Sequence, residues 1–412
     1  MCIRDRCPSL RAVLGTCLDS VEQGIAQMAA NVLIIEHPYV TLMQARNLVA
    51  RFVKAKRNLS DEIKDLIADV SFSRDGRRLA AGMLDGSTVA FDTATRRPVL
   101  RIDGESPVTA VAFQPRGDML AVATIDGKVR FFDSSGRAVG APLDIGKAVV
   151  WQLAFSPDGR VLAVAVDPNG FDGFNSQQRQ GRVQLWNMAA RQRMGAPITP
   201  GAGSVLSVAF DHAGTLLATA SYAGQLDLWD VATHAHHGNP MRVTDDGFAS
   251  VAFDPSGRLV AAGAAVGPVR VWRVAVQRPA FPPLSGVTSP ITGATFNSEG
   301  SLLATSSLLG TSRLWDAATG LAFGGELVAS PRFGADRELP PFLGLRNAFS
   351  PDGKLLAVAA VESRAMLWDI DPASWRKRAC AIAGRNLSRE EWKLYLPAGT
   401  PYRATCPEWS AS

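Results

Sequence analysis

One short pattern recurs seven times along this chain of 412 residues. Each copy has a phenylalanine followed four residues later by a glycine; the phenylalanines are Phe72, Phe113, Phe155, Phe210, Phe253, Phe296 and Phe349. In six copies an aromatic residue follows nineteen positions after the phenylalanine, and in the third copy Trp186 stands twelve positions further along. Successive copies begin 41 to 55 residues apart. Four short strand-like segments in a repeat of this length are typical of a propeller blade. The repeat therefore predicts an all-β, seven-bladed β-propeller.

The segments between these landmarks alternate apolar and polar residues, as half-buried strands do. In the third and seventh copies the first turn reads Ser-Pro-Asp-Gly, at residues 156–159 and 350–353. Proline fixes φ at the second turn position, and glycine tolerates the positive φ needed at the end of the turn. Four residues after each repeated glycine stands an alanine: Ala80, Ala121, Ala163, Ala218, Ala261, Ala304 and Ala357. Because packed sheets lie only about 10 Å apart, we expect a larger side chain there to collide with the next blade.

The copies end in residues that resemble the WD-repeat family of seven-bladed propellers. Trp-Asp itself closes the fourth, sixth and seventh copies, at residues 229–230, 315–316 and 368–369, and Phe-Asp closes the first two. The resemblance covers about residues 67–370. Many family members have Gly-His upstream of the first strand and Asp in the second hairpin, which together give a buried polar network. This sequence has no Gly-His, so we expect its blades to depend more on apolar packing.

Composition and motifs argue against several classes of function. The net charge is only +5, with basic residues interspersed among acidic ones, so we expect a solvated surface rather than a nucleic-acid groove. The sequence contains no stretch of 18 uninterrupted apolar residues, so we predict no transmembrane helix. The sequence has no P-loop, no Gly-x-Ser-x-Gly elbow, no His-Glu-x-x-His and no kinase signature. We therefore predict a non-enzymatic protein that needs no cofactor.

Two short groups of polar residues have metal-ligand chemistry but incomplete spacing. Three histidines lie within residues 234–237, and residues 167–173 read Asp-Pro-Asn-Gly-Phe-Asp-Gly. No second His or Cys group accompanies the histidines, and the acidic stretch lacks the closing bidentate Glu of a calcium loop. We interpret both groups as ordinary polar loops and predict no metal site.

Two extensions flank the repeats. Residues 1–57 show helical spacing of apolar residues, residues 58–370 contain the propeller, and residues 371–412 form a helical tail in which Asp371 is a good N-cap. Residues 1–6 resemble translated adaptor sequence, so we expect the native chain to extend further upstream. A closed ring needs a strand that completes the seventh blade. Residues 49–60 are a candidate for that strand, although the helical interpretation of the same segment competes with it.

The tail is similar to the closing segment of actinobacterial STAND-type signalling proteins, in which a switch ATPase precedes WD repeats. The similarity rests on residues 379–388, Glu391-Trp392, residues 395–397, Pro401-Tyr402 and Cys406-Pro407, and residues 91–98 of the first blade strengthen it. It implies a bacterial sensor or scaffold portion whose partner is another protein or an upstream switch domain. Cys380 and Cys406 flank this segment; a disulfide between them is one alternative, and free thiols in a reducing cytoplasm are the favoured one.

Two enlarged loops carry the candidate binding residues. Residues 167–180 lie within the third blade, residues 330–346 join the sixth blade to the seventh, and strand alternation places both loops on one rim. Aromatic and arginine residues are enriched at protein-binding hot spots, and these loops contain Phe171, Phe174, Arg179, Arg332, Phe333, Arg337 and Phe342. The alternative is that both loops are tolerated surface insertions.

These observations favour a cytoplasmic, non-enzymatic scaffold or sensor that binds a protein on its loop-rich face, with no nucleic-acid or membrane partner. The rival interpretation is a propeller hydrolase or lactonase with a site in the central channel. Such a site needs carboxylates or metal ligands on the innermost strands. The innermost strands here read Val-x-Phe or similar, with few carboxylates in register.

Overall fold

The computed structural model describes residues 67–168, 180–201, 203–242, 247–264, 268–284, 286, 290–307, 311–328, 346–360 and 364–371. It also describes six single positions of the tail: Ala373, Ser374, Lys377, Asn386, Arg389 and Cys406. Within these residues 27 strands form seven antiparallel sheets. None of the helical residues described belongs to a helix that is long and apolar enough to cross a bilayer.

Each of the first four sheets has four strands. The first blade contains β1 (Ile67–Phe72), β2 (Arg78–Met83), β3 (Thr88–Asp92) and β4 (Pro98–Ile102). The second contains β5 (Val108–Phe113), β6 (Leu120–Thr124), β7 (Lys128–Phe132) and β8 (Leu143–Asp144). The third contains β9 (Val149–Phe155), β10 (Val161–Asp167), β11 (Arg182–Asn187) and β12 (Gln192–Arg193). The fourth contains β13 (Val205–Phe210), β14 (Leu216–Ser221), β15 (Gln225–Asp230) and β16 (Met241–Arg242).

The fifth and sixth sheets repeat this arrangement, and the seventh has three described strands. The fifth blade contains β17 (Phe248–Phe253), β18 (Leu259–Ala264), β19 (Arg270–Arg273) and β20 (Arg278–Pro279). The sixth contains β21 (Ile291–Phe296), β22 (Leu302–Ser307), β23 (Thr311–Asp316) and β24 (Ala322–Val328). The seventh contains β25 (Asn347–Phe349), β26 (Leu355–Ala360) and β27 (Arg364–Asp369). The first strand of each blade contacts the first strands of its neighbours, and β25 contacts β1. The predicted seven-bladed propeller is confirmed.

Side-chain hydrogen bonds build the turn between the first and second strands. The Ser350 hydroxyl donates to Asp352 Oδ1 at 2.5 Å and accepts from the Leu355 amide at 2.9 Å. The bond from Ser350 is the main cause that lowers the pKa of Asp352. Gly353 ends the turn with φ of 68°, which a side chain would strain. The Ser-Pro-Asp-Gly turn predicted from the sequence is confirmed.

The repeated alanines lie where neighbouring blades meet. All seven have 0% exposure. Ala80 of the first blade, for example, packs with Val108, Val111 and Leu120 of the second. Because no space separates the sheets at this level, the prediction that only a small side chain fits is confirmed.

The polar network inside the blades is present in part. In the fourth blade Trp229 Nε1 donates to the Thr219 hydroxyl at 3.0 Å, and in the sixth Trp315 Nε1 donates to Thr305 at 2.9 Å. In the seventh blade a valine, Val358, stands at the threonine position, and the buried Trp368 Nε1 has no hydrogen-bond partner among the residues that the structure describes. The expectation of apolar packing is therefore confirmed for the seventh blade. In the fourth and sixth blades, by contrast, a threonine and a tryptophan form a buried hydrogen bond.

A buried indole N–H without a partner is costly, since its lost hydration is not replaced. Val358→Thr places a hydroxyl of similar size at the position from which Thr219 and Thr305 bind their tryptophans. We expect the free energy of unfolding to rise by about 1 kcal/mol, measured by urea denaturation. The matched control is Val122→Thr, which is also buried but lies in the second blade, where the closing aromatic is Phe132 and offers no N–H. That control is expected to be destabilised, and equal effects of both substitutions would contradict the account.

The extensions are described only in part. Residues 1–57, and with them the candidate closing strand at residues 49–60, lie outside the described residues. Asp371 Oδ1 accepts from the Ala373 amide at 2.8 Å, as predicted for an N-cap, and Ala373, Ser374, Lys377 and Arg389 are helical.

Cys406 is buried and disulfide-bonded to a cysteine outside the described residues. The favoured expectation of free thiols is therefore wrong at Cys406.

Candidate interaction face

The two longest connections of the propeller emerge at the same end of the blades. One joins β10 to β11, and the other joins β24 to β25. Inner strands of neighbouring blades run in the same direction: Asp69 accepts from the Val111 amide, and Ser71 from the Phe113 amide. Since strands alternate direction within a blade, second-to-third and blade-to-blade connections share one end. We call that end, with residues 168–181 and 329–346, the insertion face.

All seven predicted binding residues belong to these two connections. Phe171, Phe174, Arg179, Arg332, Phe333, Arg337 and Phe342 lie outside the described residues. The structure therefore describes the bases of both insertions and leaves the seven side chains as predictions.

The base of the first insertion is held against the fourth blade. Asp167, at the end of β10, has 0% exposure, and its Oδ2 accepts from the Ser204 hydroxyl at 2.7 Å. On the returning side the Gly181 amide donates to the Gly203 carbonyl at 3.0 Å. A Cβ at Gly181 would overlap the backbone of Val205, so only glycine permits this approach. A buried side-chain hydrogen bond thus holds one end of the insertion, and a backbone hydrogen bond holds the other.

The base of the second insertion reaches across the ring. Arg346, immediately before β25, donates from Nη2 to the Trp151 carbonyl of the third blade at 2.8 Å. Its Nε lies 3.9 Å from Asp69 Oδ1 of the first blade. Arg346 therefore connects the seventh, first and third blades at the end where both insertions emerge.

Burial governs the electrostatics of this pair. Burial raises the pKa of Asp69, while Arg346 and the amides of Val111 and Val70 oppose that rise. Burial likewise lowers the pKa of Arg346, and Asp69 opposes that change. Each charge thus compensates the other in a site with little water, where an isolated charge is costly.

Sequence reasoning missed this arrangement, although the sequence carries a signal for it. The position three residues before each repeated phenylalanine is occupied by Asp69, Ala110, Gln152, Ser207, Ser250, Gly293 and Arg346. The side chains of Asp69, Gln152 and Ser207 accept from amides of the next blade: Val111, Val208 and Val251. The inner strand of each blade has one edge that pairs with no other strand. A polar side chain at this position therefore accepts hydrogen bonds from amides that have no partner within their own sheet.

Carboxylates are sparse at the inner positions of the blades that the structure describes. Asp69 is the one carboxylate among the seven inner positions just named, and its contacts are backbone amides and Arg346. No three His, Cys, Asp or Glu side chains converge into a possible metal site within the described ranges. His234 Nδ1 lies 2.9 Å from the Ala196 carbonyl, and the centroid of the His236 ring lies 3.7 Å from that of Trp229, with the two ring planes tilted by 36°. These two histidines thus have separate structural contacts.

Comparison with known sequences agrees with this geometry. The profile of the family "WD domain, G-beta repeat" matches residues 96–133, 197–230 and 282–316. Each match runs from the outer part of one blade to the closing aromatic of the next. Three stretches of this seven-bladed propeller are thus similar to that repeat family.

The chain spans less than two fifths of the length of each curated relative compared below. It is 33% identical over 118 residues to the WD repeat-containing protein SL1-17 of Schistosoma mansoni, covering 28% of this chain and 38% of that protein. It is 31% identical over 124 residues to the WD repeat-containing protein VIP3 of Arabidopsis thaliana, covering 28% and 37%. It is 28% identical over 158 residues to telomerase protein component 1 of Mus musculus, covering 38% and 6%.

Proposed function

We propose that this propeller is a non-enzymatic scaffold that binds a protein partner on its insertion face. The hydrogen bond from Arg346 Nη2 to the Trp151 carbonyl carries the proposal. It joins the base of the second insertion to the blade that carries the first, so the two insertions share one rigid support. A rigid support lowers the ordering cost of a binding surface.

The aromatic and arginine content of the insertions supplies the binding chemistry in this proposal. Phe174 and Phe333 belong to one insertion each, and phenylalanine and arginine are enriched in interface cores. A partner that offers apolar pockets and carboxylates is the complement of this composition. Contact with both insertions at once makes specificity depend on their fixed spacing.

The test uses a partner captured by the full-length chain and then purified. We expect the variant Phe174→Ala/Phe333→Ala to bind it about 30-fold more weakly or worse, measured by isothermal titration, because hot-spot residues contribute at least about 2 kcal/mol. The matched control is Val276→Ala/Leu321→Ala. These residues are 57% and 69% exposed and lie at the turns between third and fourth strands, on the opposite end. Equal affinity of the wild type and the insertion variant would refute the proposal.

A bacterial signalling context is a further part of the proposal. It rests on the resemblance of the tail to actinobacterial STAND-type proteins, while the relatives named above are eukaryotic. In this setting the partner is an upstream switch domain or a separate protein. The genomic reading frame around this sequence tests it, since a switch ATPase encoded in the same frame is the expected finding.

A cytoplasmic location stays a prediction, and the disulfide at Cys406 weighs against it. Structural disulfides persist in oxidising compartments and are rare in a reducing cytoplasm. Alkylation of thiols in intact cells, followed by mass spectrometry of the Cys406 peptide, distinguishes a reducing cytoplasm from an oxidising compartment. An unmodified, bonded Cys406 would place the chain outside the reducing cytoplasm.

A further inference from the structure

The outer edge of the seventh blade differs from that of the other six. Each of the first six sheets has a fourth, outer strand, whereas the seventh ends at β27 within the described residues. An open strand edge leaves amides and carbonyls without partners. The contacts between the outer strands of the other blades indicate which residue types a strand at this edge contains.

A reciprocal contact recurs where the outer parts of neighbouring blades meet. The turn before each fourth strand has a residue with positive φ, and this residue touches the outer segment of the preceding blade. The five described pairs, with the preceding blade first, are Leu100–Gly136, Gly140–Arg191, Gly195–His234, Gly238–Gln277 and Phe281–Gly320. In every pair one residue is glycine and the other has a large side chain.

The glycine of each pair lies close to the side chain of its partner. A Cβ on Gly136 or Gly320 would lie 2.6 Å from the side chain of Leu100 or Phe281. A Cβ on Gly140 would lie 2.7 Å from Arg191 Nη1. The large turn residues also bind the preceding blade directly, as Arg191 Nη1 does when it donates to the Ala141 carbonyl at 2.9 Å. Each of the three large turn residues thus lies against a glycine that itself has a positive φ: 68° at Gly140, 61° at Gly195 and 77° at Gly238.

Arg96 is the large turn residue of the first blade, and the blade before it is the seventh. Its φ is 58°, close to those of Arg191, His234 and Gln277. Its side chain is exposed and forms no hydrogen bond or ion pair with a described residue. Since Arg191, His234 and Gln277 each lie against a glycine of the preceding blade, we expect the outer strand of the seventh blade to place a glycine against Arg96.

The sequence contains one unassigned segment of the matching type. The three glycines that face large turn residues each begin the pattern Gly-x-Pro-apolar: residues 140–143, 195–198 and 238–241. Gly-x-Pro occurs four times in the chain, and the fourth is Gly399-Thr-Pro-Tyr402 in the tail. The apolar residue of the first three patterns is buried in each case: Leu143, Ile198 and Met241. Residues 49–60 contain no glycine.

We propose that the tail segment around residues 397–403 supplies the outer strand of the seventh blade, with Gly399 against Arg96. The chain leaves β27 at the end where the other blades turn into their fourth strand, and Ser374 Oγ donates to Asp369 Oδ2 at 2.5 Å there. Further along the tail, the Cys406 amide donates to Asn386 Oδ1 at 2.6 Å, and both residues are buried. Asn386 and Cys406, which lie before and after Gly399 in the sequence, are thus held to each other. Tyr402 takes the buried apolar position.

A photo-crosslinking experiment tests the occupant of this edge directly. Arg96→p-benzoylphenylalanine is introduced into the full chain, irradiated and analysed by mass spectrometry. The expected product joins position 96 to residues 398–402 of the same molecule. The same crosslinker at His234, expected to reach residues 194–197, is the positive control. With that control working, a crosslink to residues 49–60, a crosslink to a second molecule, or no crosslink at position 96 would each overturn the proposal.

A size exchange tests the pairing itself. We expect Gly399→Phe to lower the urea midpoint, and Arg96→Gly combined with it to restore the midpoint, because the pair then resembles Phe281–Gly320. The control is Gly384→Phe, another tail glycine, combined with the same Arg96→Gly. Its two effects are expected to add. If the effects at Gly399 and Arg96 add as well, the two residues are not in contact and the proposal is wrong.

Discussion

Replacing Arg346 by methionine is expected to lower the free energy of unfolding by about 3–5 kcal/mol, the cost of leaving one buried charge without its partner. Asp69 and Arg346 have side-chain exposures of 7% and 15%. Removal of the guanidinium leaves the Asp69 carboxylate with two backbone amides as its hydrogen-bond donors. The same substitution removes the bond to the Trp151 carbonyl, so the third blade loses its link to the seventh. Urea denaturation followed by tryptophan fluorescence measures the loss.

The pH dependence of this variant distinguishes a charge effect from simple loss of packing. Burial already raises the pKa of Asp69 above 3.8, and Arg346 is the charge that most opposes the rise. In Arg346→Met the pKa of folded Asp69 moves further above its unfolded value. The folded state then binds the proton more tightly, so the stability deficit shrinks as pH falls through the raised pKa towards 3.8. A deficit that stays constant over this range would contradict the assignment.

Two further variants complete the comparison. Asp69→Asn/Arg346→Met removes both charges and is expected to be more stable than Arg346→Met alone. Arg101→Met removes an arginine that lies 2.7 Å from Asp103 but has a 56% exposed side chain. An exposed ion pair contributes little, so this control is expected to leave the urea midpoint unchanged. A comparable loss in Arg101→Met would mean that the effect at Arg346 is not a consequence of burial.

The ring itself was predictable because its signal repeats. Seven copies of one phenylalanine–glycine spacing fix seven blades, and each copy is a local pattern of strand and turn. The repeated alanines were predictable for the same reason, since the same steric constraint acts at Ala80 and at every equivalent position. A repeat reports constraints that are shared by all blades.

Features that occur in one blade only were not predictable in this way. Asp69 and Arg346 are 277 residues apart and meet only because the ring closes between the seventh and first blades. The residues equivalent to Arg346 in the other blades have short side chains or, as in Gln152, no charge, so periodicity gives no sign of its reach to Trp151. The insertions likewise interrupt the repeat. Their sequence shows which residue types they contain but not where those side chains lie. The pairing of large and small residues between outer strands was hidden because its two members lie in different blades.

Phe248→Ala is expected to destabilise the propeller by about 3–5 kcal/mol, the usual cost of removing a fully buried aromatic side chain. Phe248 is not one of the repeated phenylalanines. It begins the inner strand β17 with 0% exposure. Its ring meets Trp272 edge-on at 5.8 Å between centroids, and it packs in one cluster with Leu226, Leu228 and Met241 of the fourth blade. The substitution therefore leaves a cavity between two blades, and the urea midpoint is expected to fall accordingly.

The matched control is Phe323→Ala, which removes the same atoms from a side chain that is 41% exposed on the outer strand β24. Less apolar area returns to water there and no enclosed cavity forms, so a loss of less than about 1 kcal/mol is expected. The difference between the two variants measures how much a single interface between blades contributes to the ring. If Phe248→Ala costs no more than Phe323→Ala, the fourth and fifth blades are not held together by this cluster. Other contacts between the two blades would then hold them together, among them the hydrogen bond from the Val251 amide to Ser207 at 2.9 Å.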